Sequence, residues 1–330
     1  MIGLTRRTML TGAVAAGAAT ALTAMPNTMV RAAAPPAGKQ IAGWYRMKVG
    51  TTEVTVIAEG ARISPLPDNF VRNKSKDEVV AALQAAYLSA DRFMLPFNSV
   101  VVNTGSKLVA IDAGFGPGTL AQSNGAMGQR QANLAAAGID IKAIDAVVLS
   151  HFHGDHINGL VTDGKPSYPN AEVMVPQPEW AYWMDDGNMS RAPDALKGAF
   201  ANVRRVMGIV GSKVTQYEPG KDVAPGIASV AAHGHSPGHT VHIVSSGNSS
   251  LMIQGDLTTL PQLFVRNPGW HVMFDMDAAA AEATRRRLYD RMAADRLLVQ
   301  GYHFPFPALA YIEKSGTGYR EIPIAWNPTI

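Results

Sequence analysis

The order of elements in this 330-residue chain predicts an α/β (α+β) domain of two sheets with helices on their outer faces. Three observations carry that expectation. Short apolar and β-branched runs dominate, and helical segments are set between groups of them. From Trp44 onward there is no low-complexity tract, no repeat of about 20–50 residues and no long charge run, so one folded unit is expected. With 47% hydrophobic and 17% charged residues, the chain has the material for a large core. The element pattern alone leaves other α/β arrangements open.

In chain order, Met47 to Ala58 carries β-branched residues broken at Gly50-Thr51, the pattern of a hairpin. Ser75-Lys76-Asp77-Glu78 forms a capping box, and helical spacing follows from Val79 to Leu88. Ser99–Asn103 and Leu108–Asp112 read as strands joined at Thr104-Gly105. Gln129–Ala137 reads as a helix stopped by Gly138. Ala146–Leu149 is a short apolar strand. Further strands are expected at Glu172–Val175, Val214–Tyr217, Ile227–Ala232, Val241–Val244, Leu251–Ile253, Leu297–Gly301 and Ala310–Glu313. Helices are expected at Pro178–Met184, at Pro193–Val206 and from the cap Asp277 to about Met292.

Residues 1–34 read as an export leader of the twin-arginine type. Thr5-Arg6-Arg7-Thr8-Met9-Leu10 opens a soft apolar run that ends at Met25. That run holds only two leucines, Leu10 and Leu22. It falls short of the roughly 20 strongly apolar residues of a spanning helix, so no stable membrane anchor is expected. The expected location is the periplasm or the exterior. Residues 35–43, with Pro35, Pro36 and Gly38, read as a linker, and the folded domain is expected over 44–330. The formal net charge of +3 hints at an acidic partner such as nucleic acid. Arg6, Arg7 and Arg31, with no acidic residue in 1–34, account for all of it, so no nucleic-acid partner is expected.

The chain has no cysteine, which excludes disulfides, thiolate metal sites and a cysteine nucleophile. Chemistry instead concentrates in His151-Phe152-His153-Gly154-Asp155-His156, directly after the strand Ala146–Leu149. Alternate residues of an extended segment share a side, so His151 and His153 present a common face. Gly154 permits the tight turn that swings Asp155 and His156 to a neighbouring position. Three imidazoles and a carboxylate in six residues repel and desolvate one another unless a cation holds them, and such ligands suit zinc, iron, manganese or cobalt. His239, Asp256 and His303 stand at or beside the ends of later strands as further ligands.

These motifs, His-x-His-x-Asp-His at 151–156, Ser-Pro-Gly-His-Thr at 236–240, Gly255-Asp256 and His303, with Asp112-Ala113-Gly114 after a strand, resemble those of the metallo-β-lactamase superfamily. Gly43-Trp44-Tyr45-Arg46-Met47, residues 102–109, His303-x-x-Phe306-Pro307 and Gly318-Tyr319-Arg320 look most like methyl parathion hydrolase and N-acyl-homoserine lactonase-like enzymes. The segment Phe115-Gly116-Pro117-Gly118 is shorter than the matching loop, and Ala308 stands where glycine is usual. The resemblance implies an αββα sandwich with two divalent metal ions between the sheets, zinc first, with manganese, iron or cobalt as alternatives. It implies His151, His153 and His239 on one ion, Asp155, His156 and His303 on the other, and Asp256 bridging. A bridging hydroxide would attack lactones, carboxyl esters or organophosphotriesters, with Asp155 also taking a proton. The resemblance further implies a homodimer.

Around this set, Asp112 and Ser150 are expected to hold a ligand imidazole or the loop backbone, and His235 to hydrogen-bond the site. Phe115, Trp183 and Leu260 are expected to line a pocket for a small-molecule substrate. Two other enzyme readings are a β-lactamase, opposed by the missing cysteine ligand and by Gly255-Asp256, and a glyoxalase-type thioester hydrolase, which shares the same seven ligands. Outside the enzymes stands a periplasmic protein that binds metal or a small molecule without turnover.

Overall fold

The structure is a computed structural model that describes residues 37, 38 and 40–330. The leader expected at 1–34 lies outside the described residues, as does part of the linker. The chain divides into a unit ending at Ile41 and a second from Ala42 to Ile330. Among the described residues, every strand and helix belongs to the second unit. No helix among them is long and apolar enough to cross a membrane.

The first sheet is built in chain order from Trp44–Val49, Thr52–Pro65, Arg92–Asn103, Leu108–Ile111, Ala146–Val148, Glu172–Pro176 and Val214–Tyr217. Neighbours pair antiparallel up to Leu108–Ile111 and parallel from there on. The second sheet runs Asp222–Ala224, Ile227–Ala231, Thr240–Ser246, Ser249–Ile253, Leu298–Gln300, Leu309–Ser315 and Gly318–Pro323. Its one parallel step, from Ser249–Ile253 to Leu298–Gln300, needs a crossover, and the helix Ala278–Ala294 supplies it.

Strand alternation builds the layers. Val100, Val102, Val109, Ile111 and Val148 share a core with Val241, Leu251, Ile253 and Val299 of the second sheet. The intervening Val101, Ala110 and Val147 turn to the opposite face. There they meet Leu134 of the helix Arg130–Ala136 and Phe200, Val203 and Val206 of the helix Asp194–Val210. The helix Ala278–Ala294 covers the other sheet, packing on Leu309–Ser315. This is the four-layer αββα arrangement of the metallo-β-lactamase fold. A third cluster, with Phe70, Phe93, Leu95, Phe97, Leu263 and Phe264, packs beside the two layers.

The hairpin turns at Gly50-Thr51, and the helix Lys76–Ala85 starts at the Ser75–Glu78 capping box. That helix ends three residues short of Leu88, and Tyr87 leaves it with a φ of 58°. The strand expected from Ser99 begins at Arg92 instead. Residues 92–99 have a strand partner on one side only, and such an edge tolerates Pro96, which has no N–H to donate. The helix Asp186–Arg191 and the strands Asp222–Ala224 and Gly318–Pro323 carry no strong apolar period and are not legible in the sequence.

Asp277 caps the crossover helix by accepting the Ala280 N–H at 3.0 Å. Asp277→Ala is expected to lower stability by about 1 kcal/mol, read as a shifted denaturant midpoint with an unchanged slope.

Candidate metal centre

Strands of both sheets end at this site. In the first sheet, Leu108–Ile111 delivers Asp112, and Ala146–Val148 delivers residues 150–156. In the second, Ile227–Ala231 leads to His235, Ser249–Ile253 to Asp256, and Leu298–Gln300 to His303. Asp112 leaves its strand with a φ of 62° and then ties the first loop together. Its Oδ1 accepts the Ser150 N–H at 2.8 Å, and its Oδ2 lies 2.8 Å from both Ser150 Oγ and His156 Nδ1. A single helical turn, Gly154–Ile157, carries Asp155 and His156.

Two groups of donor atoms result. One comprises His151, His153, His235 and Asp256, the other Asp155, His156, Asp256 and His303, with the atoms of each within 4.8 Å of one another. Hydrogen bonding shows that these residues fit a cation. His303 Nδ1 lies 2.8 Å from the Pro96 carbonyl oxygen, which can only accept, so Nδ1 carries the proton. His156 Nδ1 is tied to Asp112 in the same way, and His235 Nδ1 to Asp275 Oδ1 at 3.0 Å. The Nε2 atoms of His303, His156 and His235 then lie 3.0, 3.1 and 3.2 Å from Asp256 oxygens. A lone pair facing an anionic oxygen is repulsive unless a proton or a cation stands between them. His151 Nε2, His156 Nε2 and Asp256 Oδ1 are also buried with no hydrogen-bond partner.

The electrostatics agree. Burial opposes charge on His156 and His235, yet Asp256 raises the first well above the ordinary imidazole value and the second to about 9. Burial and neighbouring imidazoles push His151 well below that value and His153 to about 3. Burial also opposes charge on Asp256, but His303, His156 and His235 hold it well below the usual carboxylate range. The raised values of His156 and His235 place protons between their rings and Asp256, protons that a bound divalent ion would displace, since imidazole ligates in its neutral form.

Two further histidines, His235 and His239, reach the cluster from the second sheet. His239, expected as a ligand, is outside both groups. Its Nδ1 donates to the Ala232 carbonyl at 2.9 Å, and its Nε2 accepts the Asp256 N–H at 3.0 Å, so both ring nitrogens are already engaged. Both nitrogens of His235 are engaged too, Nδ1 on Asp275 Oδ1 at 3.0 Å and Nε2 at 2.9 Å from His153 Nδ1 and 3.2 Å from Asp256 Oδ2, so it hydrogen-bonds the site as expected. The two lie on either side of the Ser236-Pro237-Gly238 turn, and both rings meet that of His151, at 4.9 and 5.2 Å. His239 also braces the backbone that carries Asp256.

Two supports are absent from the sequence reading. Glu179, fully buried, joins the two ligand loops. Its Oε1 accepts Phe152 N–H at 3.0 Å and Trp183 Nε1–H at 2.8 Å, while its Oε2 accepts Ser236 Oγ–H at 2.8 Å and Gly238 N–H at 2.6 Å. Asp275 orients His235 and is itself held by Arg285 at 3.0 Å, and Arg285 also donates to the Leu257 carbonyl. Neither has a local signal, because each lies far along the chain from the ligand it supports. Ser150 lies 3.0 Å from His151 Nδ1 as well as bonding Asp112.

A cavity of about 730 Å³ opens on the cluster, with Asp155, His153 and His303 in its wall beside Phe97, Phe115 and Phe274. Leu260 lines a separate apolar cavity of about 230 Å³ that shares His303. Trp183, expected in the pocket wall, is fully buried instead. It packs at 4.7 Å against Phe200 and spends its indole N–H on Glu179, because the helix Gln177–Trp183 turns that face into the core.

On protein loaded with zinc, His239→Ala is expected to lose at least one bound metal, measured by elemental analysis. His235→Gln is expected to retain metal more fully and to weaken its binding instead. Glu179→Gln leaves a buried donor without its charged acceptor, and its zinc affinity in a chelator competition is expected to fall about tenfold or more.

The family model of the metallo-β-lactamase superfamily matches residues 95–299. A comparison with curated proteins gives no match. Among solved structures, AidC, described as a dizinc quorum-quenching lactonase with a bound product, aligns with a TM-score of 0.80 at 24% identity, over 86% of this chain and 98% of that one. The hydrolase AbOPH of the β-lactamase superfamily aligns with a TM-score of 0.80 at 24% identity, over 88% of this chain and 100% of that one. A metal-dependent hydrolase from Staphylococcus aureus, described as probable, reaches a TM-score of 0.66 at 22% identity, over 86% and 100%. These likenesses speak to the fold. Together with the family match over residues 95–299, they establish that the chain belongs to the metallo-β-lactamase superfamily.

Proposed function

We propose that the chain is a two-metal hydrolase of ester bonds, acting on lactones, carboxyl esters or phosphotriesters. The observation that carries this reading is the set of unsatisfied imidazole nitrogens gathered around Asp256 in the wall of a large cavity. His151, His153 and His239 would hold one cation and Asp155, His156 and His303 the other, with Asp256 shared and His235 bonded to the site. Divalent cations there, zinc foremost, would supply Lewis acidity and water activated at neutral pH. AidC's description as a dizinc lactonase supports both the metal and the substrate class.

The chain's own groups do the rest. Asp155 is the more accessible carboxylate, 17% exposed where Asp256 is 5%, and it accepts the proton released during hydrolysis. Tyr302 donates to the Asp155 carbonyl at 2.5 Å and packs its ring 4.0 Å from that of His156, which fixes both ligands. Phe97, Phe115 and Phe274 give an acyl or aryl group an apolar wall and keep water from it. We also propose export by the twin-arginine route, which carries folded proteins and so suits a metal loaded before transport.

Zinc-loaded protein is expected to turn over lactones, aryl esters and phosphotriesters, to lose activity on chelation and to regain it with zinc. Full metal occupancy with no turnover of these would falsify the reading, and turnover of β-lactams or thioesters alone would replace it. Changing Arg6 and Arg7 together to lysine is expected to leave the full-length protein in the cytoplasm, read by cell fractionation.

A further inference from the structure

The strand Thr52–Pro65 shifts register against Arg92–Asn103 between Ala58 and Gly60, leaving Glu59 as an extra residue. Such bulges re-aim a side chain, and they are frequent beside functional sites. Here the bulge turns Glu59 into the interior, where it is fully buried. Its Oε1 accepts the Gly116 N–H at 3.1 Å, and its Oε2 has no partner. The loop it holds has no slack: a Cβ added at Gly114 would lie 2.5 Å from Glu59 Oε2 and 3.1 Å from Arg130 Cδ. Between Gly114 and Gly116 stands Phe115, which faces the cavity. Phe115 is held from the same strand by Arg62, whose guanidinium carbon lies 5.1 Å above its ring. It meets Phe97 edge-on at 5.0 Å, and Phe97 in turn meets His303 at 5.4 Å.

We propose that Glu59 is a positioning residue for substrate: through Gly116 it sets where Phe115 stands in the cavity wall, and so governs KM while leaving the metal centre intact. This rests on the hydrolase reading given above. Glu59 makes no contact with a proposed ligand. The charged and titratable groups facing it are Arg130, from the helix Arg130–Ala136, and the phenols of Tyr168 and Tyr302. Arg130 donates to Ser99 Oγ, to the Tyr168 hydroxyl and to the Asp112 carbonyl, so its charge stays near Glu59 without pairing to it. Burial raises the Glu59 carboxyl to about 7, with Arg130 opposing. Below that pH the group is neutral. Above it the anion draws the Gly116 N–H more strongly, because charge-assisted bonds exceed neutral ones.

Glu59→Gln keeps an acceptor for Gly116 and removes the charge change. With an aryl ester and zinc-loaded protein, the ratio of variant to parent KM is expected to rise about fivefold between about pH 6 and about pH 8. kcat should change less than KM, and bound zinc should stay the same. A ratio that is flat with pH, or a loss of zinc, overturns the proposal. A second readout needs no turnover. In protein carrying 4-fluorophenylalanine, the Phe115 resonance, identified by its loss in Phe115→Leu, is expected to move with a midpoint near pH 7 in the parent and to stay fixed in Glu59→Gln. Ester turnover with no such titration sinks the proposal and leaves the hydrolase reading standing. Titration with no turnover of any ester keeps the hold of Glu59 on Phe115 and sinks the hydrolase reading, and with it the effect on KM.

Discussion

Asp256 is a buried carboxylate with imidazole nitrogens on several sides, and the architecture around it follows from keeping it there. A lone anion in that position costs several kcal/mol unless positive charge compensates it. Three rings, His156, His235 and His303, have one nitrogen tied to a protein acceptor, so the other points at Asp256. Their orientation is therefore decided by groups outside the cluster, which are Asp112, Asp275 and the Pro96 carbonyl. A divalent cation among these nitrogens would compensate the charge on Asp256.

Holding such a cluster takes support from both sheets. Glu179 spans the loops that carry His153 and His235, and Arg285 reaches from the crossover helix to Asp275 and Leu257. Each is a buried ionic group whose own desolvation is met by several hydrogen bonds. Trp183 belongs with this frame, since its indole completes the Glu179 network. His239 does too, fixing the Asp256 backbone with one nitrogen and the Ala232 carbonyl with the other. The loop carrying Phe115 is supported differently, by the bulge at Glu59 and the ring contact from Arg62. That loop still adjoins the cluster, since Ala113 donates to the His156 carbonyl and Phe97 meets both Phe115 and His303.

Much of the frame was legible because it follows local rules. Alternation in Val100–Val102 and Leu108–Ile111 marks strands with two buried faces, and the Ser75 and Asp277 caps mark helix starts. The hairpin at Gly50-Thr51 and the histidine cluster after Val148 are local in the same sense. The early start of the strand at Arg92 was hidden because Pro96 reads as a break, and only its one-sided pairing makes it harmless. The Glu59 bulge has no local mark beyond Gly60, since an extra residue becomes one only against its partner strand.

The sequence by itself determined the chemistry: no thiolate, a set of histidines and aspartates placed after strands, and a two-layer core to carry them. Periodicity, capping and ligand type depend on neighbours a few residues away, and those are written in the chain. Tertiary structure alone decided how the two histidine rings of the Ser236 turn are held, His235 on Asp275 and His239 on the Ala232 carbonyl. It also put Trp183 behind the site rather than in its wall and gave Glu179, Asp275 and Glu59 their tasks. Each of those outcomes depends on which way a turn is aimed by packing against a segment tens of residues distant, and no spacing along the chain encodes that direction.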